Sequence, residues 1–257
     1  MASRMLPRLL RVVLSLAIPL AAWSALAGLG ATRASLPGPL AVMRQIARDG
    51  WSFYGPNIAT TLSEASLGFL WGNGLAIACA SLAVLVPALQ RLIVQLGAIS
   101  ISVPLIALGP VLAIVFGGHV TTVTLAALAV FFNSLLGSLQ GFASAERTGL
   151  DLFAAYGSGR WQIFRKLQLI AALPSIFASL GIAAPAAVLG AILGEWLGST
   201  TQGLGVAMVI AMQQMNPART WGIALVCGLL ASFAYWLIAL LGRLATPWEQ
   251  ARRDANA

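Results

Sequence analysis

The stretch GLDLFAAYGSGRWQIFRKLQLIAALP, residues 149–174, decides how this chain is interpreted. It is the one strongly basic, internally patterned stretch of an otherwise apolar sequence. On each side lies a segment long and apolar enough to cross a bilayer. A basic, glycine-interrupted loop in this position is where a membrane domain can contact a soluble partner.

The composition places the rest of the chain in a membrane. Of 257 residues, 59% are hydrophobic and 9% are charged, and the mean hydropathy is +0.89. Soluble domains contain about a quarter charged residues. Only α-helices and closed barrels satisfy their backbone hydrogen bonds in lipid, and these apolar runs are too long for barrel strands. The sequence therefore predicts an all-α integral membrane protein.

Six apolar segments each have the roughly 20 residues needed to span the bilayer. We predict six transmembrane helices in a single membrane domain, residues 1–257. The first is taken as a retained helix, because its apolar run is too long for a signal peptide. The predicted spans are about 10–30, 58–84, 90–115, 120–143, 169–197 and 219–244.

The basic residues predict the orientation of these spans. Lys and Arg total 15 against 7 acids, and they are scattered at the ends of the spans, which argues against a nucleic acid partner. With the N-terminus inside, eleven basic residues lie on the inner side, and the outer ones are Arg33, Arg44, Arg48 and Arg219. Because cytoplasmic flanks collect Lys and Arg, we predict that both termini and the loop 144–168 are cytoplasmic.

The segment Leu36–Tyr54 differs from the spans because its apolar and polar residues alternate at helical spacing. It predicts an amphipathic helix on the outer membrane surface, with an ordinary solvated linker as the alternative. The apolar face comprises Leu40, Met43, Ile46 and Ala47, and the polar face comprises Arg44, Gln45, Arg48 and Asp49.

Glycines recur four residues apart in three of the spans. Such spacing lets helix backbones approach closely in lipid, so we predict helix packing at these positions. The alternative is a substrate path lined by backbone. The fifth span is expected to be central to the bundle or to a dimer interface. The glycines are Gly68 and Gly72, Gly137 and Gly141, and Gly190, Gly194 and Gly198.

Motifs of soluble catalysis do not occur in the sequence. The only lysine, Lys166, follows no glycine-rich phosphate-binding loop, so the chain is not a nucleotide-hydrolysing subunit. The single histidine, His119, cannot build a multi-histidine metal site, and no metal is predicted. Two acids, Glu64 and Glu195, lie near the outer ends of spans. Acids at such depth indicate function, unless both simply reach the interface.

The loop contains two short helical segments, Leu150–Tyr156 and Arg160–Leu169, separated by Gly-Ser-Gly at 157–159. Aromatic side chains on short cytoplasmic helices need a surface that covers them. That surface is either a partner protein or the ends of the chain's own spans. The aromatic residues are Phe153, Tyr156, Trp161 and Phe164.

Three stretches resemble a known family. AAYGSGRWQIFRKLQLIAALPSIFASLGIA (154–183) resembles the EAA-loop region of inner-membrane permeases of binding-protein-dependent ABC importers, most closely the nitrate/sulfonate/taurine branch. GEWLGSTTQGLG (194–205) and SVPLIALGPVLAIVFG (102–117) are similar to further segments of that branch. Together the similarity covers roughly residues 58–248. The chain departs from the family pattern at Asp151, where the family has Glu, and at Ile170, where it has Pro.

This resemblance implies the type I ABC importer permease fold, with a core at 58–248, in the bacterial cytoplasmic (inner) membrane. The chain would pair with a second copy, two cytoplasmic ATPase subunits and a periplasmic or lipid-anchored solute-binding protein. No cofactor would bind this chain, because ATP and Mg would bind the ATPase. The implied ATPase-coupling residues are Asp151, Phe153, Ala154, Ala155, Tyr156, Gly157, Arg160, Trp161 and Phe164. The implied residues of an outer gate or binding-protein-facing surface are Glu195, Gly203 and Gly205.

The substrate is predicted by resemblance alone. Alkanesulfonates, taurine or nitrate fit the branch, and vitamin precursors such as pyrimidines or riboflavin are the alternative within the same machinery. A secondary transporter or channel would need coupling acids in mid-membrane. A membrane enzyme would need convergent catalytic groups at one depth.

Overall fold

The computed structural model describes residues 17–28, 36–198 and 200–248, and every regular element within these ranges is a helix. The helices are α1 Ala17–Gly28, α2 Pro39–Leu85, α3 Pro87–Ser102, α4 Leu105–Val115, α5 Gly118–Ala143, α6 Arg147–Ala155, α7 Arg160–Ile163, α8 Leu169–Leu197, α9 Leu204–Gln213 and α10 Pro217–Ala245. A π-helical turn, Phe164–Gln168, joins α7 to α8. The all-α prediction is confirmed.

Four of the predicted spans correspond to helices long and apolar enough to cross a membrane. These helices are Pro39–Leu85, Gly118–Ala143, Arg160–Leu197 and Pro217–Ala245. The predicted first span, 10–30, lies partly outside the described residues, and α1 covers its Ala17–Gly28 portion.

The predicted third span is not one straight helix. It comprises Pro87–Ser100 and Leu105–Val115, which are bent by 92° relative to each other. Val103 is extended (φ −87°, ψ 121°), and Pro104 begins the next helix. Proline disfavours the α conformation in the residue before it, which explains the break. The sequence predicted one continuous span here, about 90–115.

Helix α2 is broken at Gly50, which has φ 64° and ψ −174°. Its 47 residues would extend about 70 Å, more than twice the hydrocarbon thickness of a bilayer. The predicted amphipathic segment is therefore helical from Pro39, but it ends at Gly50 rather than at Tyr54. Pro56, which lies inside the helix, does not end it.

The polar face predicted for this segment is partly buried. The Asp49 side chain is buried and accepts from Arg219 twice, from Nε at 3.0 Å and from Nη2 at 2.5 Å. Val42 is fully buried, whereas Leu40 and Met43 are exposed. Asp49 belongs to the predicted polar face but is buried, because an ion pair with Arg219 of α10 compensates its burial. The location of this segment at the membrane surface stays a prediction.

The described chain forms two compact units. One comprises the described residues up to Pro56 together with Ala207–Val226. The other comprises Asn57–Val206 and the described residues from Cys227. The family-like loop and both predicted acids belong to the second unit.

The core of the second unit is built largely from small side chains. Gly190 of α8 lies against Leu125 O and Ala126 of α5, and Gly194 lies against Thr122. Small residues let helix backbones approach closely where lipid gives no hydrophobic driving force. A cluster nearer the loop is formed by Ala76, Ala80, Leu135, Phe142, Phe164, Ala172 and Ile176.

Candidate functional site

The turn between α6 and α7 is a helix C-cap that requires a left-handed residue. Gly157 has φ 67°, and its N–H donates to Ala154 O at 2.9 Å. Ser158 N donates to Phe153 O at 3.0 Å. This pair of bonds is the Schellman motif, which ends a helix at a residue that is usually glycine. A Cβ at Gly157 would meet nothing within 4 Å. Glycine is therefore required by the backbone conformation and not by a lack of room for a side chain.

The second glycine of the turn has a different role. Gly159 has an ordinary extended conformation (φ −71°, ψ 160°), and it begins α7. Its carbonyl accepts from Gln162 N at 3.0 Å and Ile163 N at 3.2 Å. A Cβ there would also meet open space. The predicted Gly-Ser-Gly break is therefore present, and only its first glycine is conformationally constrained.

The loop exposes apolar and aromatic side chains. Leu152 is 56% exposed, Tyr156 82% and Trp161 59%, with no described part of the chain covering them. The other predicted coupling residues lie on the same two helices. Asp151, Ala154, Ala155 and Arg160 are exposed, and Phe153 is half-buried.

Phe164 differs from these residues because it belongs to the bundle core. Its side chain is buried, with its ring centroid 5.2 Å from that of Phe142 on α5. Trp161 also stacks on Phe164, at 5.8 Å between ring centroids. The aromatic residues of the loop were predicted to be covered either by a partner protein or by the chain's own spans, and each alternative applies to different residues. Phe164 packs on the chain's own spans, whereas Tyr156 and Trp161 are available to a partner.

A π-helical turn connects this loop to α8. Leu169 N donates to Phe164 O, five residues earlier, so the turn accommodates one extra residue. Phe164 is buried while Arg165 and Lys166 are exposed. Turns of this kind occur frequently at functional sites. The helix Arg160–Leu197 runs through it for 38 residues, about 57 Å.

Glu195 lies in the last turn of α8, at the end opposite the loop. Its side chain is buried, at 2% exposure. Its Oε1 accepts from Thr61 Oγ1 at 2.5 Å, and its Oε2 accepts from Gly205 N at 2.5 Å. Both carboxylate oxygens therefore have a partner despite the burial.

Two further hydrogen bonds hold the backbone at Gly203, just before α9, and at Leu204, its first residue. Gly203 N donates to Asn57 Oδ1 at 3.0 Å, and Leu204 N donates to Thr61 Oγ1 at 2.9 Å. With Gly205 N, three consecutive N–H groups are satisfied by side chains from two other helices. The first N–H groups of a helix have no partner within the helix, so this arrangement caps α9 from outside.

The two glycines of the GLG motif allow the backbone to approach Glu195. A Cβ at Gly203, where φ is 138°, would overlap the Glu195 carboxyl carbon. A Cβ at Gly205 would lie 2.6 Å from Ile192 O. Leu204 between them is fully buried. The structure therefore brings together the three predicted outer residues, Glu195, Gly203 and Gly205.

A second buried carboxylate lies on α2, one helical turn from Thr61. Glu64 is 2% exposed, and its Oε1 contacts Nδ1 of His119, whose side chain is 72% exposed. Both acids are therefore buried within the protein, whereas their depth relative to the membrane surface stays a prediction. His119 is on the surface as predicted, but its contact with Glu64 did not follow from the sequence.

We expect replacement of His119 by alanine to destabilise the protein, because it leaves the buried Glu64 carboxylate without this partner. Leaving a buried charged group unsatisfied costs about 3 kcal/mol. His119 is exposed, so alanine opens no cavity there. Thermal unfolding in detergent measures the effect. Adding Glu64→Gln should restore most of the lost stability, and an unchanged melting temperature in the single variant would refute the contact.

The third predicted glycine of the fifth span has a different environment from Gly190 and Gly194. Gly198 is the C-cap of α8, where its N–H donates to Gly194 O at 2.7 Å. A Cβ there would lie 2.6 Å from that same carbonyl oxygen. The geometry thus places Gly198 at a helix end rather than at a helix–helix contact.

Asn57 and Thr61 were missed by sequence reasoning because they belong to no motif. A signal was nevertheless present. Asn57, Thr61 and Glu64 stand at i, i+4 and i+7 of an apolar helix, so their side chains share one face. Polar residues aligned in this way on a membrane helix indicate a buried polar contact.

Residues 72–248 match the family described as "Binding-protein-dependent transport system inner membrane component". The chain belongs to this family. The match contains the loop, the π-helical turn, Glu195 and the GLG motif. The family assignment confirms the resemblance seen in the sequence.

Curated relatives include permeases with different named substrates. A formylaminopyrimidine transport permease of Halalkalibacterium halodurans is 28% identical over 84% of this chain and 86% of its own length. A putative aliphatic sulfonates transport permease of Bacillus subtilis is 25% identical over 91% and 85%. A riboflavin transport system permease of Chloroflexus aurantiacus is 28% identical over 63% and 60%.

A solved structure of a methionine ABC transporter, described as inward facing, shares the fold. The TM-score is 0.65 at 18% identity, and the match covers 74% of this chain and 94% of the other. A second crystal form of the same transporter gives a TM-score of 0.68 at 17% identity, covering 77% and 98%. The type I ABC importer permease fold predicted from the sequence is therefore confirmed.

Proposed function

We propose that this chain is the permease subunit of an ATP-driven importer and that its loop docks a cytoplasmic ATPase. The observation that carries the proposal is the exposed face of α6 and α7, formed by Leu152, Tyr156 and Trp161. Aromatic residues dominate the energetics of protein interfaces. Membership of a transport-system family supports this proposal, because an ATPase partner would cover such a face.

The charges of the loop suit an acidic or mixed groove on the ATPase. Four exposed basic residues accompany the two exposed acids Glu146 and Asp151. The basic residues are Arg147, Arg160, Arg165 and Lys166. The excess of basic over acidic residues also supports a cytoplasmic position for the loop. With six spans, a cytoplasmic loop at this point implies cytoplasmic termini.

ATP and Mg would bind the partner and not this chain. The sequence contains no Gly-Lys-Ser/Thr phosphate-binding motif, and Lys166 is its only lysine. A periplasmic or lipid-anchored binding protein would deliver the solute at the opposite face. A second copy of this chain would complete the translocation path as a homodimer.

The residues around Glu195 would form part of the outer gate. Glu195 lies at the end of α8 opposite the ATPase-docking loop, and Gly203 and Gly205 hold the chain against it. This position supports the gate interpretation over direct contact with the ATPase.

The proposed substrate is a small organic solute of the sulfonate, taurine or nitrate type. A pyrimidine or riboflavin precursor is the second candidate, favoured by one observation. Among the described residues of the second unit, the buried acidic or basic side chains of the spans are Glu64 and Glu195. Neither carboxyl attracts an anion, and no buried arginine in the described part of that unit supplies a positive partner. Ligand binding to the purified binding protein distinguishes the two classes.

Alanine at both Tyr156 and Trp161 tests the docking face. Because truncation of a central aromatic residue costs at least about 2 kcal/mol of binding, we expect ATPase affinity to fall by about 30-fold or more. The side chains are exposed, so thermal stability should change little. Co-purified ATPase and ATP-dependent uptake in proteoliposomes are the measurements.

Leu229→Ala is the matched control for this variant. Leu229 is exposed to a similar degree on α10, away from the loop. The control should retain the ATPase. Equal ATPase recovery from the double variant and the control would refute docking through this face.

A further inference from the structure

The geometry points to Glu195 as a positioning residue that, with Thr61 and Asn57, ties the start of α9 to α8 and α2. Movement of α8 imposed at the loop would then displace the start of α9. This inference rests on the proposed function, since it specifies how the docking loop acts on the outer gate. Glu195 does not contact the loop, and the inference gives it the role of passing a displacement of α8 to α9.

The first support is the continuity of the helix between the two sites. The helix Arg160–Leu197 begins in the loop and ends two residues after Glu195. Along this length it packs on α5 through backbone-level contacts at Gly190 and Gly194. The helix contains Pro174 and Pro185 but is unbroken across them, so a displacement at the loop end can reach Glu195 along one element.

The second support is the directness of the link from Glu195 to α9. Its Oε2 accepts from the backbone N–H of Gly205, so it binds the main chain rather than a mobile side chain. Thr61 connects Glu195 to α9 a second time, because its hydroxyl donates to Glu195 and accepts from Leu204 N. Asn57 binds Gly203 N as a third. A displacement of Glu195 must therefore break its bonds to Thr61 and Gly205 or carry these two residues with it.

The third support is the electrostatic fit. Both Glu195 oxygens accept hydrogen bonds, one from α2 and one from the backbone at the start of α9. The N-terminus of a helix carries partial positive charge from its aligned peptide dipoles. Negative charge on a carboxyl buried at that end is stabilised by the helix it caps. Neutral replacements keep some hydrogen bonds but lose this attraction.

The link itself can be tested on the chain alone, in nanodiscs, by amide hydrogen exchange. The amides of Gly203, Leu204 and Gly205 should be protected in the native chain. Glu195→Ala should raise the exchange rate of the Gly205 amide at least tenfold, and Glu195→Gln should give an intermediate rate. Thr61→Val should raise the rate for Leu204.

Thr124→Val is the matched control for Thr61→Val. Thr124 donates to Val120 O within its own helix, so its hydroxyl makes no link between helices. Exchange at residues 203–205 should be unchanged in this variant. If Glu195→Ala leaves those amides as protected as in the native chain, the tie between α8 and α9 is refuted.

Whether movement passes from the loop through Glu195 to α9 is tested in the complete complex with its ATPase and binding protein. Glu195→Ala should reduce uptake about tenfold while ATP hydrolysis stays within about twofold of native, and Glu195→Gln should recover part of the uptake. A purely structural role would instead lower ATPase recovery, hydrolysis and melting temperature together with uptake. That pattern, or native uptake in Glu195→Ala, would overturn the inference.

The proposed function and the role of Glu195 fail on different results. If the native chain recovers no ATPase and shows no ATP-dependent uptake, the proposed function fails whatever the exchange rates show. If the native complex transports and Glu195→Ala also transports normally, only the inference about Glu195 fails.

Discussion

Replacing Gly157 by valine is expected to abolish ATP-dependent uptake and ATPase association while leaving the protein inserted in the membrane. Gly157 has φ 67°, a conformation that costs an ordinary residue about 1–2 kcal/mol and a β-branched residue more. Valine would therefore favour a different backbone and disrupt the two bonds that end α6. The angle between α6 and α7 would change, and with it the shared docking face. Pull-down of the ATPase and uptake in proteoliposomes are the measurements.

Gly159→Ala is the internal control for this experiment. A Cβ would meet open space at either glycine, but Gly159 has an ordinary backbone conformation. The alanine variant should therefore bind ATPase and transport normally, and Gly157→Asn should retain part of the activity because Asn tolerates the left-handed region. Equal loss in Gly157→Val and Gly159→Ala would show that the turn conformation is not the cause.

Replacing Gly194 by alanine is expected to destabilise the bundle strongly. The added Cβ would lie 2.5 Å from the Thr122 Cα, which is backbone of α5 and cannot rotate away. The helices would have to separate, and overpacking of this kind costs about 1–3 kcal/mol or more. We expect a lower melting temperature in nanodiscs and a lower yield of folded protein.

Gly181→Ala, on the same helix, supplies the comparison for Gly194→Ala. A Cβ at Gly181 would meet only the Tyr235 ring at 3.7 Å, an ordinary contact distance. Because alanine favours helix over glycine by about 1 kcal/mol, this variant should be as stable as native or more so. Similar melting temperatures for the two variants would contradict the close approach of α5 and α8.

The long apolar helices could be predicted from the sequence because membrane insertion depends on composition over about 20 residues. The turn at Gly157 could also be predicted, since Gly-Ser-Gly between two apolar patterns has few structural solutions. The 92° bend between α3 and α4 could not, because a proline in an apolar run is compatible with a kink or a break. The segment that ends at Gly50 was predicted to extend to Tyr54, because the apolar and polar residues continue to alternate beyond Gly50.

The polar contacts at the outer end were the least predictable part of the site. Thr61 and Glu195 are separated by 134 residues, and only the packing of α8 near α2 brings them together. The sequence identified Glu195, Gly203 and Gly205 as a group, but through resemblance and not through contact. The burial of Asp49 could not be predicted for the same reason, because its partner Arg219 lies 170 residues further along the chain.

The most direct test of ATPase docking through the loop is purification of the tagged chain from its native host in mild detergent, with mass spectrometry of the proteins that accompany it. We expect recovery of an ATPase with a Gly-Lys-Ser/Thr phosphate-binding motif from the native chain and from Gly159→Ala, and its loss from Gly157→Val. A chain that is recovered without any ATPase and still transports solute in liposomes without ATP would contradict the importer function.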